Sequence, residues 1–180
     1  DQTTDRMAQL VEDLLLLARS DRQLVEHGAL SRFPLEELIE DLTALYGDSA
    51  HERGVQLTSQ IAAPGLVNGH PERLRQLLVN LISNALRFSP PGGTVTVGLA
   101  VQGSTVQVWV DDQGPGIPPE QRELVFQPFW QADQARSARG STGLGLAIAR
   151  ASASAHRGRL VAAEAPGGGC RMLLELPVVA

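Results

Sequence analysis

Arg73, Asn80, Asn84 and Arg87 recur at helical spacing inside the segment His70–Ser89. They share one stripe of a single helix. Leu74, Leu77, Leu78, Leu81, Ala85 and Phe88 recur beside them and form a face built for a core. Solvated helix faces usually carry Glu, Lys, Arg or Gln, whereas Asn is a poor helix former. Carboxamide oxygens are hard ligands suited to magnesium, and guanidinium suits phosphate oxygens. The stripe therefore reads either as a face that holds a metal–phosphate group or as an ordinary solvated one. Two further stretches favour the first. Gly140, Gly143 and Gly145 precede an apolar helical run. Glycines there let backbone N–H groups approach an anion at the positive end of a helix. No Lys-Ser or Lys-Thr follows, which excludes a Walker loop, and no strand directly precedes, which excludes a dinucleotide fingerprint. Asp112 closes an alternating run whose Val106, Val108 and Val110 face inward, and Gln113-Gly-Pro-Gly-Ile117 turns the chain after it. An inward carboxylate is expensive without a dedicated partner. An exocyclic adenine amine is a donor of the right kind. Together the three stretches suggest a site for a magnesium–adenine nucleotide.

The elements that position these residues follow from periodicity. Asp1 to about Gln23 reads as an amphipathic helix with Met7, Leu10, Leu14 and Leu17 in a 3,4 alternation. One such helix cannot bury its own stripe. It is expected to be half of a helical hairpin over residues 1–24, with folding back onto the domain as the alternative. Residues 25–32 read as a linker, and residues 33–180 as the main domain. Leu35, Leu38, Ile39, Leu42, Leu45 and Tyr46 space as a helix that Gly54 ends. A strand runs to Ile61, Leu66-Val67 suits a short strand, and Pro71 opens the central helix. Thr94–Val101 and Thr105–Asp112 alternate as a strand pair. Pro118 to Phe126 holds a short helical turn. Gln127–Ser141 is polar and lacks either period, as a lid would. Leu146 to about Ala155 is a helix, and Arg159–Ala165 with Cys170–Leu176 is a final hairpin. The expected fold class is an α/β sandwich, a mixed sheet of about five strands with three helices on one face plus the N-terminal helix.

Composition narrows the function classes. The chain has 180 residues, 43% hydrophobic and 19% charged, which suits one globular domain with an appendage. Its formal net charge of -5 argues against a general nucleic-acid or anionic-membrane surface. No Lys is present, so a Lys nucleophile is excluded. The single Cys170 excludes an internal disulfide and a Cys-based zinc site, and reads as a small buried apolar residue. No apolar run is long enough to span a bilayer.

The motifs resemble those of the ATP-binding catalytic domain of a bacterial two-component sensor histidine kinase, of the GHKL superfamily. Leu77-Leu-Val-Asn-Leu-Ile-Ser-Asn-Ala-Leu-Arg-Phe-Ser89 resembles the asparagine box, and Asp112-Gln-Gly-Pro-Gly-Ile117 the first glycine box. Phe126-Gln-Pro-Phe-Trp130 resembles the phenylalanine box, and Gly140-Ser-Thr-Gly-Leu-Gly-Leu-Ala-Ile148 the second glycine box. Arg6-Met7 with Leu10-Val-Glu-Asp-Leu-Leu15 resembles the second helix of the dimerisation and phosphotransfer hairpin. The resemblance implies ATP and magnesium as cofactors. Asn84 would ligate the metal, Asn80 would support the phosphates, and Arg87 would stand where the family usually has Lys. Asp112 would read the adenine amine, with Gly114, Gly116 and Ile117 shaping the pocket and Phe88 and Phe129 beside it. Arg136 or Arg139 would reach the terminal phosphate. Gly140, Thr142, Gly143, Leu144, Gly145 and Leu146 would lie along the phosphate chain.

Two absences qualify this. None of His27, His51, His70 and His156 is followed by the acidic residue and Pro-containing turn of a phosphoacceptor box, so the chain is not expected to phosphorylate itself. ATP-hydrolysing relatives such as gyrase carry a Glu four residues before the magnesium Asn, where this chain has Asn80. Lacking that general base, it is expected to donate the γ-phosphate to a histidine on a separate hairpin, for relay to a response-regulator Asp. The expected location is cytoplasmic, with an inner-membrane anchor elsewhere in the parent protein left open, and a homodimer is expected through the N-terminal helix. The rival readings are a binding module without kinase activity and an anti-sigma-type serine kinase.

Overall fold

A computed structural model of the chain describes residues 2–18, 30–131 and 142–179, the side chains of residues 2–6, 9 and 16 excepted. Helix α1 spans Gln2–Ala18. Strand β1 (Ser31–Pro34) and helix α2 (Leu35–Glu52) open the main domain. Strands β2 (Gln56–Ile61) and β3 (Leu66–Gly69) precede the central helix α3 (Pro71–Phe88). Strands β4 (Thr94–Gln102) and β5 (Thr105–Asp111) follow, then two 3-10 turns at Pro119–Gln121 and Leu124–Phe126. Helix α4 (Gly145–Ala155) and the hairpin β6 (Arg159–Glu164) and β7 (Cys170–Pro177) complete the chain.

Five strands form one sheet in the order β2-β4-β5-β7-β6. The β2–β4 pair is parallel and the other pairs are antiparallel. A parallel pair needs a crossover, and β3 with α3 supplies it. Alternation sends Val95, Val97, Leu99, Val106, Val108, Val110, Met172 and Leu174 to one face, where each is buried. Helices α2, α3 and α4 cover that face through Leu35, Ile39 and Leu42, through Leu74, Leu77, Leu78, Leu81 and Ile82, and through Ala149 and Ala153. This is the two-layer sandwich that the alternation and the helical stripes call for. On the opposite face Gly98 gives room to the Trp109 indole, and Arg171 pairs with Asp111 through two hydrogen bonds of 2.7 Å.

Three details depart from the sequence reading. Ser31 and Arg32, read as linker, pair with Gly69 and Asn68, so β1 and β3 make a separate two-stranded sheet. Leu45, read on the core stripe of α2, is 67% exposed. It sits at the stripe's edge, two turns past Leu38. Phe88, periodic with the core, is half-buried and turns to the cleft described below. Helix α1 rests against α4, while Met7, Val11, Leu14 and Leu15 stay exposed. Among the described residues no helix is long and apolar enough to cross a membrane.

Candidate functional site

Helix α3 starts where His70 is extended and Pro71 occupies the first turn, and it ends where Ser89 returns to extended backbone before Pro90. One face is sealed in the core, which fixes the rotation of the other. That other face carries Asn80, Asn84, Arg87 and Phe88 into a cleft of about 830 Å³. Asp112 and the turn Pro115-Gly116-Ile117 also line it, as do Thr142, Gly143, Gly145 and Leu146. Sequence reasoning put all of these but Pro115 at the site, and the fold brings them together.

Asp112 is 5% exposed. Its Oδ1 accepts the Gly114 N–H at 2.9 Å and the Cys170 N–H at 3.0 Å. Both bonds go to one oxygen, which leaves Oδ2 as the acceptor for a donor in the cleft. Burial pushes the Asp112 carboxyl above its ordinary value, and the two N–H bonds oppose that push. The turn that follows depends on glycine. Gly116 has φ +74, and a side chain on Gly114 would meet the Phe88 carbonyl at 2.7 Å. Cys170, read as a buried apolar residue, also lines this end, and burial pushes its thiol up to about 12.

On α3, Arg87 donates a terminal N–H to Asn84 Oδ1 at 3.1 Å and lies over the Phe88 ring at 4.6 Å. Its buried Nε has no hydrogen-bond partner. Burial, and then the charge of Arg53, lower the Arg87 pKa. Asn80 is held on both sides. Its Oδ1 accepts from Gln76 Nε2 at 3.1 Å, and its Nδ2 donates to the Gly145 carbonyl at 3.0 Å. The side chain thus ties the central helix to the first residue of α4.

Other expected contacts stand back from the cleft wall. Leu144 is fully buried, with its N–H on Thr142 Oγ1 at 3.3 Å. Gly114 acts through its N–H on Asp112. Phe129 is 59% exposed with φ +64, and its N–H donates to the Gly143 carbonyl at 2.9 Å. A side chain on Gly143, φ +74, would meet that Phe129 backbone at 2.9 Å. Arg73, on the same helical stripe as Asn80, lies outside the cleft, near His70 and His156. Arg136, Arg139 and Gly140 lie outside the described residues. Sequence reasoning missed Gln76, Arg53 and Asp13, all of which line the cleft. Gln76 was findable, four residues before Asn80 on the same face.

The donor set fits a magnesium–phosphate group. Among the described residues no group of three His, Cys, Asp or Glu could cage a cation. Magnesium binds with one or two protein oxygens plus substrate phosphates and water, and the Asn84 oxygen can serve so. The buried Arg87 Nε has no acceptor among the described residues, so the guanidinium keeps hydrogen-bonding capacity that the protein does not use.

Known proteins resemble this chain in sequence and in fold. Residues 69–180 match the family described as histidine kinase-, DNA gyrase B-, and HSP90-like ATPase. Over 177 residues the chain is 34% identical to the sensor histidine kinase CpxA of Escherichia coli, covering 96% of this chain and 37% of that protein. It is 37% identical over 174 residues to the probable sensor histidine kinase TcrY of Mycobacterium tuberculosis, covering 91% of this chain and 34% of that protein. The chain thus spans little more than a third of the length of the curated relatives it matches. Among solved structures, full-length ShkA in complex with AMPPNP aligns with TM-score 0.82 at 29% identity, covering 99% of this chain and 37% of that one. The mycobacterial sensor histidine kinase MprB aligns with TM-score 0.71 at 29% identity, covering 83% of this chain and 98% of that one.

Proposed function

The chain belongs to the histidine kinase-, DNA gyrase B- and HSP90-like ATPase family, and from that premise we propose that it is the ATP-binding catalytic domain of a sensor histidine kinase. One observation carries the reading: the Asn84–Arg87 pair and the buried Asp112 line a single cleft. Asp112 Oδ2 accepts from the adenine amine. Asn84 and Arg87 bind and orient the phosphate chain, and Asn80 keeps the Gly145 end of the cleft in register with them. Magnesium, when bound to Asn84, supplies charge neutralisation on the phosphates.

The reaction is transfer of the γ-phosphoryl group to a neutral histidine nitrogen on a separate hairpin. A P–N bond forms as the bond from the γ-phosphorus to the bridging oxygen breaks, and ADP leaves. Positioning and electrostatics are enough for such a step, and an imidazole near neutral pH needs no added base. Residues 1–24 are the second helix of the dimerisation hairpin and residues 25–30 the linker that leads into β1. The partners are the acceptor hairpin, a dimer mate through the exposed Met7, Val11 and Leu14, and a response regulator. The chain works in the cytoplasm, where ATP and magnesium are at hand.

The test is calorimetry with magnesium ATP and ADP, followed by mixing with a hairpin that carries the acceptor histidine. Wild type binds nucleotide and labels the hairpin from γ-labelled ATP, while Asn84→Ala does neither. Equal nucleotide affinity in wild type and Asn84→Ala would sink the assignment. Binding without labelling would favour the module without kinase activity.

A further inference from the structure

Arg53 caps the C-terminus of α2, with its N–H on the Ala50 carbonyl at 3.0 Å. The residues after it are tied to the loop that follows α3. The Gly92 N–H donates to the Gly54 carbonyl at 2.7 Å, and the Gln56 N–H to the Gly93 carbonyl at 2.9 Å. The backbone therefore holds Arg53 beside the last turn of α3, where Arg87 stands. Both arginines line the cleft.

Neither has a carboxylate partner among the described residues. Arg87 gives one N–H to the neutral Asn84 oxygen, and its Nε has none. Arg53 enters no ion pair. The two charges sit close enough that Arg53 helps to lower the Arg87 pKa. Like charges fixed on two separate elements repel, and an anion between them converts that repulsion into two attractions. Asp112 does not serve as that anion, because backbone N–H groups hold its Oδ1, and Asp13, which also lines the cleft, forms no ion pair with either arginine.

We propose that Arg53 is a second cationic contact to the phosphate chain of the bound nucleotide, closing on it from α2 as Arg87 does from α3. The inference rests on the nucleotide reading of this cleft. It gives the chain a phosphate clamp made of two arginines, in a sequence that has no lysine.

The experiment is calorimetry of the full chain with magnesium ATP and, separately, with adenosine. Arg53→Gln weakens ATP binding by about five- to thirtyfold, the size of one partly exposed charge-assisted hydrogen bond. It changes adenosine binding by less than about twofold. ATP affinity falls less steeply with added salt in the variant than in wild type. Arg53→Lys keeps most of the ATP affinity, since the charge remains. Arg53 is exposed and its side chain is unpaired, so the thermal midpoint stays at the wild-type value. Wild-type ATP affinity in Arg53→Gln, or an equal loss for adenosine, overturns the proposal. Absence of ATP binding by wild type sinks the nucleotide reading itself, and this inference with it.

Discussion

Asp112→Asn tests how the cleft recognises its base. The Gly114 and Cys170 N–H groups both point at Oδ1. They force the new carboxamide to keep its oxygen there and to place its NH₂ where Oδ2 was. That NH₂ then faces the adenine amine, donor against donor. Two losses add. A hydrogen bond to a charged acceptor is worth about 1.5–3 kcal/mol, and a buried donor left unmatched costs about 1–3 kcal/mol more. At about 1.4 kcal/mol per factor of ten, ATP affinity falls by roughly two to four orders of magnitude. The same NH₂ can donate to a 6-oxo group, so inosine triphosphate gains on ATP in the variant. The fold does not suffer. The Asp112 pKa is raised by burial, so its ionised form costs stability above the unfolded value of 3.8, and stability returns as pH falls through the folded value. Asn removes that cost, and the thermal midpoint at pH 7 is expected to stay or rise. The assay is calorimetry with both nucleotides beside a melting curve. A folded variant that binds ATP within about threefold of wild type, or with an unchanged preference over inosine triphosphate, refutes the reasoning.

Two predictions concern stability. Gly98→Ala places a methyl group inside the Trp109 indole, and the forced shift of a sheet-face ring costs about 1–3 kcal/mol, read by urea denaturation; a loss below about 0.5 kcal/mol would show that Trp109 swings aside freely. His156 donates from Nδ1 to the Ser152 carbonyl at 2.7 Å and accepts the His70 N–H on Nε2 at 3.0 Å, an arrangement that only the neutral ring allows. Burial, and then the charges of His70 and Arg73, hold its pKa below 6.5 against the pull of the Ser152 bond, so its contribution is complete above pH 6.5 and drains as pH falls toward the folded value. Midpoints measured from pH 8 to 5 should drop more steeply for wild type than for His156→Gln, and parallel curves would rule the linkage out.

Much of the fold was legible because burial imposes a period. The stripes of α2 and α3 and the alternation in β4, β5 and β7 name their own buried faces. The β1–β3 pair was not legible. Each strand has only four residues, β1 ends in a proline, and backbone pairing at that length leaves no side-chain rhythm. Leu45 obeyed the rhythm and still faces solvent, since periodicity locates a stripe but not its edge. At the site, Asn84 and Asp112 stood out as unusual residue types for a helix face and for the inward end of a strand, and Arg87 stood out by its place one turn after Asn84. Arg53 offered no such signal. Its place in the cleft comes from the meeting of α2's end with the loop after α3, which is a fact of topology rather than of spacing.

Asn80 shows how far local reading reaches. Its spacing put it on the functional face, and the geometry gives both ends of its amide to protein partners. The bond to the Gly145 carbonyl requires a donor. A carboxylate at position 80 would set acceptor against acceptor there and push α4 away from α3. The residue that a hydrolytic relative would use to activate water is thus incompatible with the way this chain closes the Gly145 end of its cleft. Phosphoryl transfer to an imidazole needs no such base, so the amide can be used to hold the two helices together.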